Sequence, residues 1–251
     1  MAAADGAGEP AAGALELDGV GAGYGSTFHL GGISFQAGAG SVVGLIGPNG
    51  GGKSTLLKAV AGVIPLREGQ IRLGGRPLRR NEGHIAFVPQ REEVNWDFPV
   101  SAGDVVLMGR YRAAGWVRRP GAEDRRKAGA ALARLGLEGK GNRHISQFSG
   151  GQQQRIFLAR ALVQEPRVVL LDEPFTGIDQ ENREVLHQVI AGFARDGVIV
   201  LIATHDLDEV AAMTTHVCCL AGRFVAFGPT ASAFTPETLR ATFGGQLAVF
   251  A

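Results

Sequence analysis

The sequence predicts an α/β fold with an antiparallel β portion and an α-helical subdomain inserted into its core. Short apolar, β-branched runs bounded by glycine or polar residues recur along the chain, as in Val42-Val43-Gly44-Leu45-Ile46 and Val168-Val169-Leu170-Leu171, and such runs mark buried strands. Helix-period stretches alternate with them; from Glu181 to Arg195, Val185, Leu186, Val189, Ile190 and Phe193 fall on one face. From about Arg91 to Glu165 strand patterns stop and helix patterns take over. The 251 residues are enough for one domain with a sizeable core. We read it as residues 15–251 behind a tail, residues 1–14, whose Ala, Gly, Pro and acidic residues lack periodicity and predict disorder.

Leu15 to Val20 alternates like a strand and leads to Gly23-Tyr24-Gly25. Tyr24 is placed either to offer its ring face to a base or to pack as an ordinary surface tyrosine. Ile33 to Phe35 and Val42 to Ile46 are the next strands, with Gly38 and Gly40 turning the chain between them. Gly47-Pro48-Asn49-Gly50-Gly51-Gly52-Lys53-Ser54-Thr55 then fits the phosphate-binding pattern G-x-x-x-x-G-K-[ST], between a strand and the helix opening Leu56 to Ala61. Its glycines let backbone N–H groups converge on phosphate oxygens, and the helix dipole adds to that field. Lys53 is spaced to reach the β- and γ-phosphates, and the Ser54 hydroxyl to ligate Mg²⁺. The chain is thus expected to bind a nucleoside triphosphate.

Ile71 to Leu73 and Ile85 to Val88 add two strands, and Pro89-Gln90 ends the second. Gln90 there is either a Mg²⁺ ligand or water-orienting group, or a solvated loop residue. Ser101 caps a helix through Met108, and Ala122 to Leu135 is a second helix. The loop Gly115 to Gly121 joins them, and Arg118, Arg119, Arg125, Arg126 and Lys127 form a basic face, solvated first and set against an acidic partner second. Phe148-Ser149-Gly150-Gly151-Gln152 opens a helix through Ala161, a second glycine-rich, anion-binding helix start. Val168 to Pro174 reads as a buried strand ending in two carboxylates, Asp172 to hold Mg²⁺ and Glu173 to polarise attacking water. Val198 to Ala203 is another buried strand, and His205 follows at its carboxyl end, where open α/β sheets place their ligands. Val217 to Leu220 and Phe224 to Phe227 pair as a hairpin around Gly222, and Pro236 to Phe243 is a short helix.

Composition narrows the classes. A formal charge of +1 on a chain that is 20% charged gives no electrostatic case for nucleic acid as a partner. The only cysteines, Cys218 and Cys219, are strand neighbours that point to opposite faces, which suits neither a disulfide nor a metal site. No apolar run approaches the roughly 18–20 residues of a membrane span, and the start lacks a basic-then-apolar signal. The expected location is therefore cytoplasmic, and any membrane link must come through a partner.

Taken together and in order, the phosphate loop, Gln90, Phe148 to Gln152, Leu171-Asp172-Glu173-Pro174, Gly177-Ile178-Asp179 and His205 resemble an ATP-binding cassette (ABC) ATPase over nearly all of residues 15–245. That family has a P-loop NTPase core. Phe148 stands where the family usually has leucine, and Gly51 where it has alanine. The resemblance implies a head-to-tail dimer with two ATPs at its interface. Tyr24 would stack on adenine; Gly47, Asn49, Gly50, Gly52, Lys53, Ser54 and Thr55 would cradle the phosphates, with Ser54, Gln90 and Asp172 on Mg²⁺. Ser149, Gly151 and Gln152 of the other subunit would close on the γ-phosphate. Glu173 would be the catalytic base, with His205 contacting the γ-phosphate. Asp179 would communicate across the interface, and Gln90 would report nucleotide state to a docked partner.

A narrower likeness is carried by Val88-Pro89-Gln90-Arg91, Val94-Asn95-Trp96-Asp97-Phe98-Pro99-Val100, Val106 to Tyr111, Leu158 to Leu162 and Asp172 to Asp179. These resemble the ATPases of manganese, zinc and iron importers, although Asn95 stands where an acid is usual. That likeness implies an integral-membrane permease and, indirectly, an extracytoplasmic metal-binding protein as partners, with manganese the first candidate cargo. Trp96 and Phe98 are expected either as exposed anchors for the permease or as a local hydrophobic plug. Iron-chelate import is the nearest alternative; a soluble ABC ATPase is the alternative from another class.

Overall fold

The computed structural model describes residues 13–24, 30–79, 84–114 and 119–244. The expectations for residues 1–12, Gly25, the loop 115–118 with Arg118, and residues 245–251 lie outside the described residues. In chain order the elements are β1 (Leu15–Ala22), β2 (Leu30–Ala37), β3 (Val42–Ile46), α1 (Lys53–Val60), β4 (Leu66–Leu73), β5 (Arg76–Pro77) and β6 (Ile85–Val88). Then follow α2 (Ala102–Met108), α3 (Tyr111–Ala114), α4 (Ala122–Arg134), α5 (Gly150–Val163), β7 (Val168–Asp172), α6 (Gln180–Arg195) and β8 (Ile199–Ala203). The last are α7 (Leu207–Met213), β9 (His216–Leu220), β10 (Phe224–Pro229), α8 (Thr230–Ala233) and α9 (Pro236–Phe243).

These strands form two sheets. One is antiparallel, in the order β2-β1-β4-β5; the other runs β10-β9-β3-β8-β7-β6, parallel from β9 to β6 with β10 antiparallel at its edge. The inner strands of the second sheet read as unbroken apolar runs because both faces are covered. Val168 and Leu170 join Leu201, Leu45, Leu56 and Leu17 in the core shared with α1 and the first sheet. Their neighbours Val169 and Leu171 point the other way, against Ile156, Leu158, Leu186 and Ile190 of α5 and α6. Each such side chain, fully buried, stabilises the fold by about 1.5–3 kcal/mol. The cysteines obey the same alternation, with Cys218 in the first core and Cys219 in a third cluster with Ile46 and Val210. Both are buried and free, and burial pushes both thiols up in pKa.

Between β6 and β7 the named elements among the described residues are all helices. Ser101 caps α2 through a reciprocal box, its Oγ accepting from the Asp104 N–H at 3.1 Å while Asp104 Oδ2 accepts from the Ser101 N–H at 3.2 Å. The structure adds β5, α3, α7 and α8, none longer than seven residues, too short to set a periodicity. Trp96 is half-buried: its ring meets Phe157 edge-on at 5.2 Å and its Nε1 donates to the Arg91 carbonyl at 2.9 Å. Of the two expected anchors only Phe98 is exposed, at 57%; Trp96 is the local plug.

Candidate active site

The parallel register decides what can meet. Leu45 of β3 and Asp172 of β7 both lie level with Ala203 of β8, and Val88 of β6 lies level with Leu171. The segments that leave the sheet just beyond these residues therefore emerge side by side: the phosphate loop, Glu173, Thr204-His205 and Pro89-Gln90. This is the carboxyl edge at which α/β sheets bind ligands. A cleft of about 500 Å³ opens there, lined by Tyr24, Asn49 through Thr55, Gln90, Glu173, Thr176 and His205.

The loop's glycines are required by space as well as by conformation. Gly47 has φ 155° and a Cβ there would stand 1.8 Å from the Leu220 carbonyl oxygen; Gly52 has φ 102° and would meet Leu30 Cδ2 at 2.8 Å. Because Gly52 occupies the N-cap of α1, no side chain caps this helix, and its first turn carries no acid. Its leading N–H groups and dipole remain available to an anion. Lys53 Nζ donates to the carbonyls of Gly47 at 2.8 Å and Pro48 at 3.2 Å, so the cation lies folded along the loop. Burial lowers its pKa, opposed by the charges of Glu173 and Asp172.

Two successive carboxylates both lie by the phosphate loop, Asp172 against Ser54 and Glu173 on the cleft wall, because the backbone turns between them. The strand ends at Asp172 rather than running on to Pro174, and Glu173 takes a left-handed conformation, φ 47°. That region costs a non-glycine residue about 1–2 kcal/mol. Without the turn, neighbouring side chains would face opposite sides of the sheet. Asp172 stays inside, wholly buried, with Oδ1 accepting from Ser54 Oγ at 2.9 Å. Its Oδ2 is buried and has no partner among the described residues. Burial raises its pKa from 3.8 to about 6, and the Ser54 hydrogen bond opposes the shift.

Glu173 reaches His205 instead, with Oε2 and Nδ1 2.8 Å apart. An ionised carboxylate only accepts, so this contact sets the proton on Nδ1. Thr176, which sequence reasoning missed, also donates to Glu173 Oε2, at 3.3 Å. Arg183 Nη1 bonds Asp206 Oδ2 at 3.1 Å and Glu209 Oε1 at 2.8 Å, and His187 Nε2 contacts Glu209 Oε2. The residue after His205 is thereby tied to the helix that begins at Asp179. Adjacency to His205 was the only signal in the sequence for Asp206; Arg183 and Glu209 gave none.

The remaining predicted site residues lie apart from the cleft. Ser149 is the exposed N-cap of α5 and forms a reciprocal box with Gln152: the Ser149 N–H donates to Gln152 Oε1 at 3.1 Å, and the Gln152 N–H to Ser149 Oγ at 3.4 Å. Gly151 is buried against Asn182. Asp179 caps α6, its Oδ1 accepting from the Asn182 N–H at 2.9 Å and from Asn182 Nδ2 at 2.6 Å. The backbone bond from Asn182, then its side chain, lowers the Asp179 pKa. None of Ser149, Gly151, Gln152 and Asp179 lines the cleft.

A phosphate loop at a parallel-sheet edge, with a strand-end carboxylate pair and a histidine beside it, defines an ATPase of the ABC class. The family model for ABC transporters matches residues 30–176, and the chain belongs to that family. It is 43% identical over 233 residues to the manganese transport system ATP-binding protein MntB of Bacillus subtilis (strain 168), covering 93% of each chain. It is 43% identical over 208 residues to the zinc transport system ATP-binding protein TroB of Treponema pallidum (strain Nichols), covering 83% of this chain and 78% of that one. Among solved structures, a metal-chelate type ABC transporter in an inward-facing conformation superposes with a TM-score of 0.81 at 30% identity, over 92% of this chain and 88% of that one. Among the described residues no helix is long and apolar enough to cross a membrane.

Proposed function

We propose that this ATPase powers an importer of a divalent transition-metal ion, manganese first and zinc or iron next, from the cytoplasmic face of the membrane. The observation that carries this reading is the 43% identity to a manganese-system subunit across 93% of both chains. The cargo need not touch this chain. Among the described residues no group of His, Cys, Asp or Glu is arranged to hold a metal ion, and selectivity is assigned to a permease and an extracytoplasmic metal-binding protein. No nucleic acid partner is proposed. The helical region of about residues 91–165 is the proposed docking face for the permease, with exposed Phe98 as an anchor.

Within the cleft, Tyr24 is assigned to the adenine ring and the loop from Gly47 to Thr55 to the phosphates. Ser54, Asp172 and Gln90 form an all-oxygen donor set suited to Mg²⁺. The unpartnered buried Asp172 Oδ2 fits a site that a cation or its water completes. Mg²⁺ there would neutralise charge on the β- and γ-phosphates. Glu173 is the group to take the proton of the attacking water, and His205 holds that carboxylate in place and faces the γ-phosphate.

Ser149, Gly151 and Gln152 stand outside the cleft, which supports the reading that a second copy supplies them head to tail, with Asp179 communicating across the interface. Each site would then be complete only when two chains close. The metal-chelate type transporter among the structural neighbours supports import of a metal chelate, an iron chelate first, as the second reading.

Elemental analysis of source cells at limiting metal, with and without a functional copy, tests the cargo. A manganese deficit rescued by the parent sequence and not by Lys53→Ala is the expected result. A zinc or iron deficit changes the cargo, and no deficit in any metal removes the importer reading.

A further inference from the structure

We propose that Arg91 is a positioning residue for the start of α5, holding a positive charge against Gly150 so that this helix end attracts the γ-phosphate of ATP bound by a second copy. The inference rests on the two-chain reading above and adds to it a group from the segment just after Gln90. A Cβ built on Gly150 would lie 3.0 Å from Arg91 Cζ, so the guanidinium lies directly on the first residue of α5. Arg91 Nε donates to Gln153 Oε1 at 3.2 Å, and buried Gln153 is itself fixed by Nε2 donating to the Ile145 carbonyl at 3.2 Å. Trp96 secures the backbone of Arg91 and leans on Phe157 of the same helix.

The charge pattern is what makes this arrangement informative. Among the described helices of seven residues or more, α2, α4, α6, α7 and α9 all carry an acid in the first turn. Only α1 and α5 carry none, and α1 is the helix of the phosphate loop. At α5 a cation is added as well, although the positive end of a helix dipole repels it. Among the described residues Arg91 has no carboxylate partner to offset that repulsion. The local field of the single chain is therefore unfavourable and is relieved by an arriving anion. A side chain at Gly150 would press on the guanidinium, which would have to give by a few tenths of an ångström.

The test uses the full chain in the Glu173→Gln background, where ATP is bound but turned over slowly. Binding of a fluorescent ATP analogue at low protein concentration reports the single chain, and sedimentation with ATP reports dimer formation. Arg91→Met should leave single-chain binding within about twofold and weaken the ATP-driven dimer about tenfold, a factor of the size that one interaction with a charged group supplies. Arg91→Lys should recover most of that loss, and raising the salt should weaken the parent dimer more than the Arg91→Met dimer. Should Arg91→Met fold poorly, Gln153→Met releases the guanidinium while keeping its charge and should show a smaller loss in the same direction.

A folded Arg91→Met that dimerises as tightly as its parent overturns the proposal alone. Arg91→Lys behaving no better than Arg91→Met overturns it too, because shape rather than charge would then matter. If Glu173→Gln does not dimerise with ATP at all, the two-chain reading falls and this inference falls with it.

Discussion

The chain contains two glycine-rich helix starts, and they are built on opposite principles. At α1 the N-cap is Gly52, no side chain caps the helix, and the residues lining the cleft around it belong to the same chain. At α5 the N-cap is Ser149, whose hydroxyl and N–H are both engaged by Gln152. The first start is sterically obligate: Gly47 and Gly52 have no room for a side chain and take backbone angles that L side chains avoid. The second is a conventional capped helix whose glycines are crowded by the side chains of Arg91 and Asn182. A helix left uncapped keeps its N–H groups for a ligand, whereas a capped one can hold its shape while waiting for a partner. The pair shows that a shared glycine-rich signature does not imply a shared design.

Substitutions can break this contrast or sharpen it. The largest effect is expected from Glu173→Gln, which should lower ATP turnover by roughly 10²–10⁴-fold while leaving nucleotide binding intact, in line with loss of a general base. Steady-state phosphate release beside equilibrium binding checks it, and unchanged turnover would remove Glu173 from the role. Next, Gly47→Ala should destabilise the chain by about 4 kcal/mol or more, since its methyl would collide with the Leu220 backbone. Gly50→Ala, at φ 76° with open space around it, should cost only about 1 kcal/mol. Equal losses in chemical denaturation would undo the steric account of this loop.

The third prediction concerns Asp172, whose folded pKa of about 6 lies above the ordinary carboxylate value of 3.8. The fold therefore favours the protonated form. The cost of its charge is absent below about pH 4, sets in as pH rises, and is fully present above about pH 6. Asp172→Asn should thus stabilise the metal-free, nucleotide-free chain by roughly 2 kcal/mol at pH 7 and match its parent near pH 4. Melting curves in a chelator across that window would test the sign. The smallest effect is reserved for Ser149→Ala, expected to lose about 1 kcal/mol of stability with its cap and to leave single-chain nucleotide binding unchanged. A fall in single-chain binding would place Ser149 in the cleft of its own chain, against the geometry.

Much of this contrast was legible in the sequence, because both starts are local in the chain. The strand before Gly47 and the helix after it follow from apolar runs and glycine punctuation, and Ser149 with Gln152 three residues on is a recognisable capping pair. Asp172 and Glu173 were legible as a pair with separate roles, but not the geometry that sets two neighbouring side chains by one loop. That depends on a left-handed turn at Glu173, which no propensity predicts for a glutamate. The network of Arg183, Asp206 and Glu209 was hidden for another reason: its members sit up to 26 residues apart on helices whose packing only the sheet order fixes. Trp96 was ambiguous because an aromatic in a loop serves core and surface equally well until Phe157 is in place.

The resting position of Lys53 has a thermodynamic consequence. Its ammonium already holds the carbonyls of Gly47 and Pro48, so an incoming nucleotide does not meet a bare, unsolvated cation. It meets one whose bonds must be surrendered as new ones form. Entry is then a trade of partners, in which only the difference between phosphate and carbonyl contributes to affinity. A motor that must discharge its spent fuel on every cycle is served by that economy, because the same trade run backwards helps to release the product.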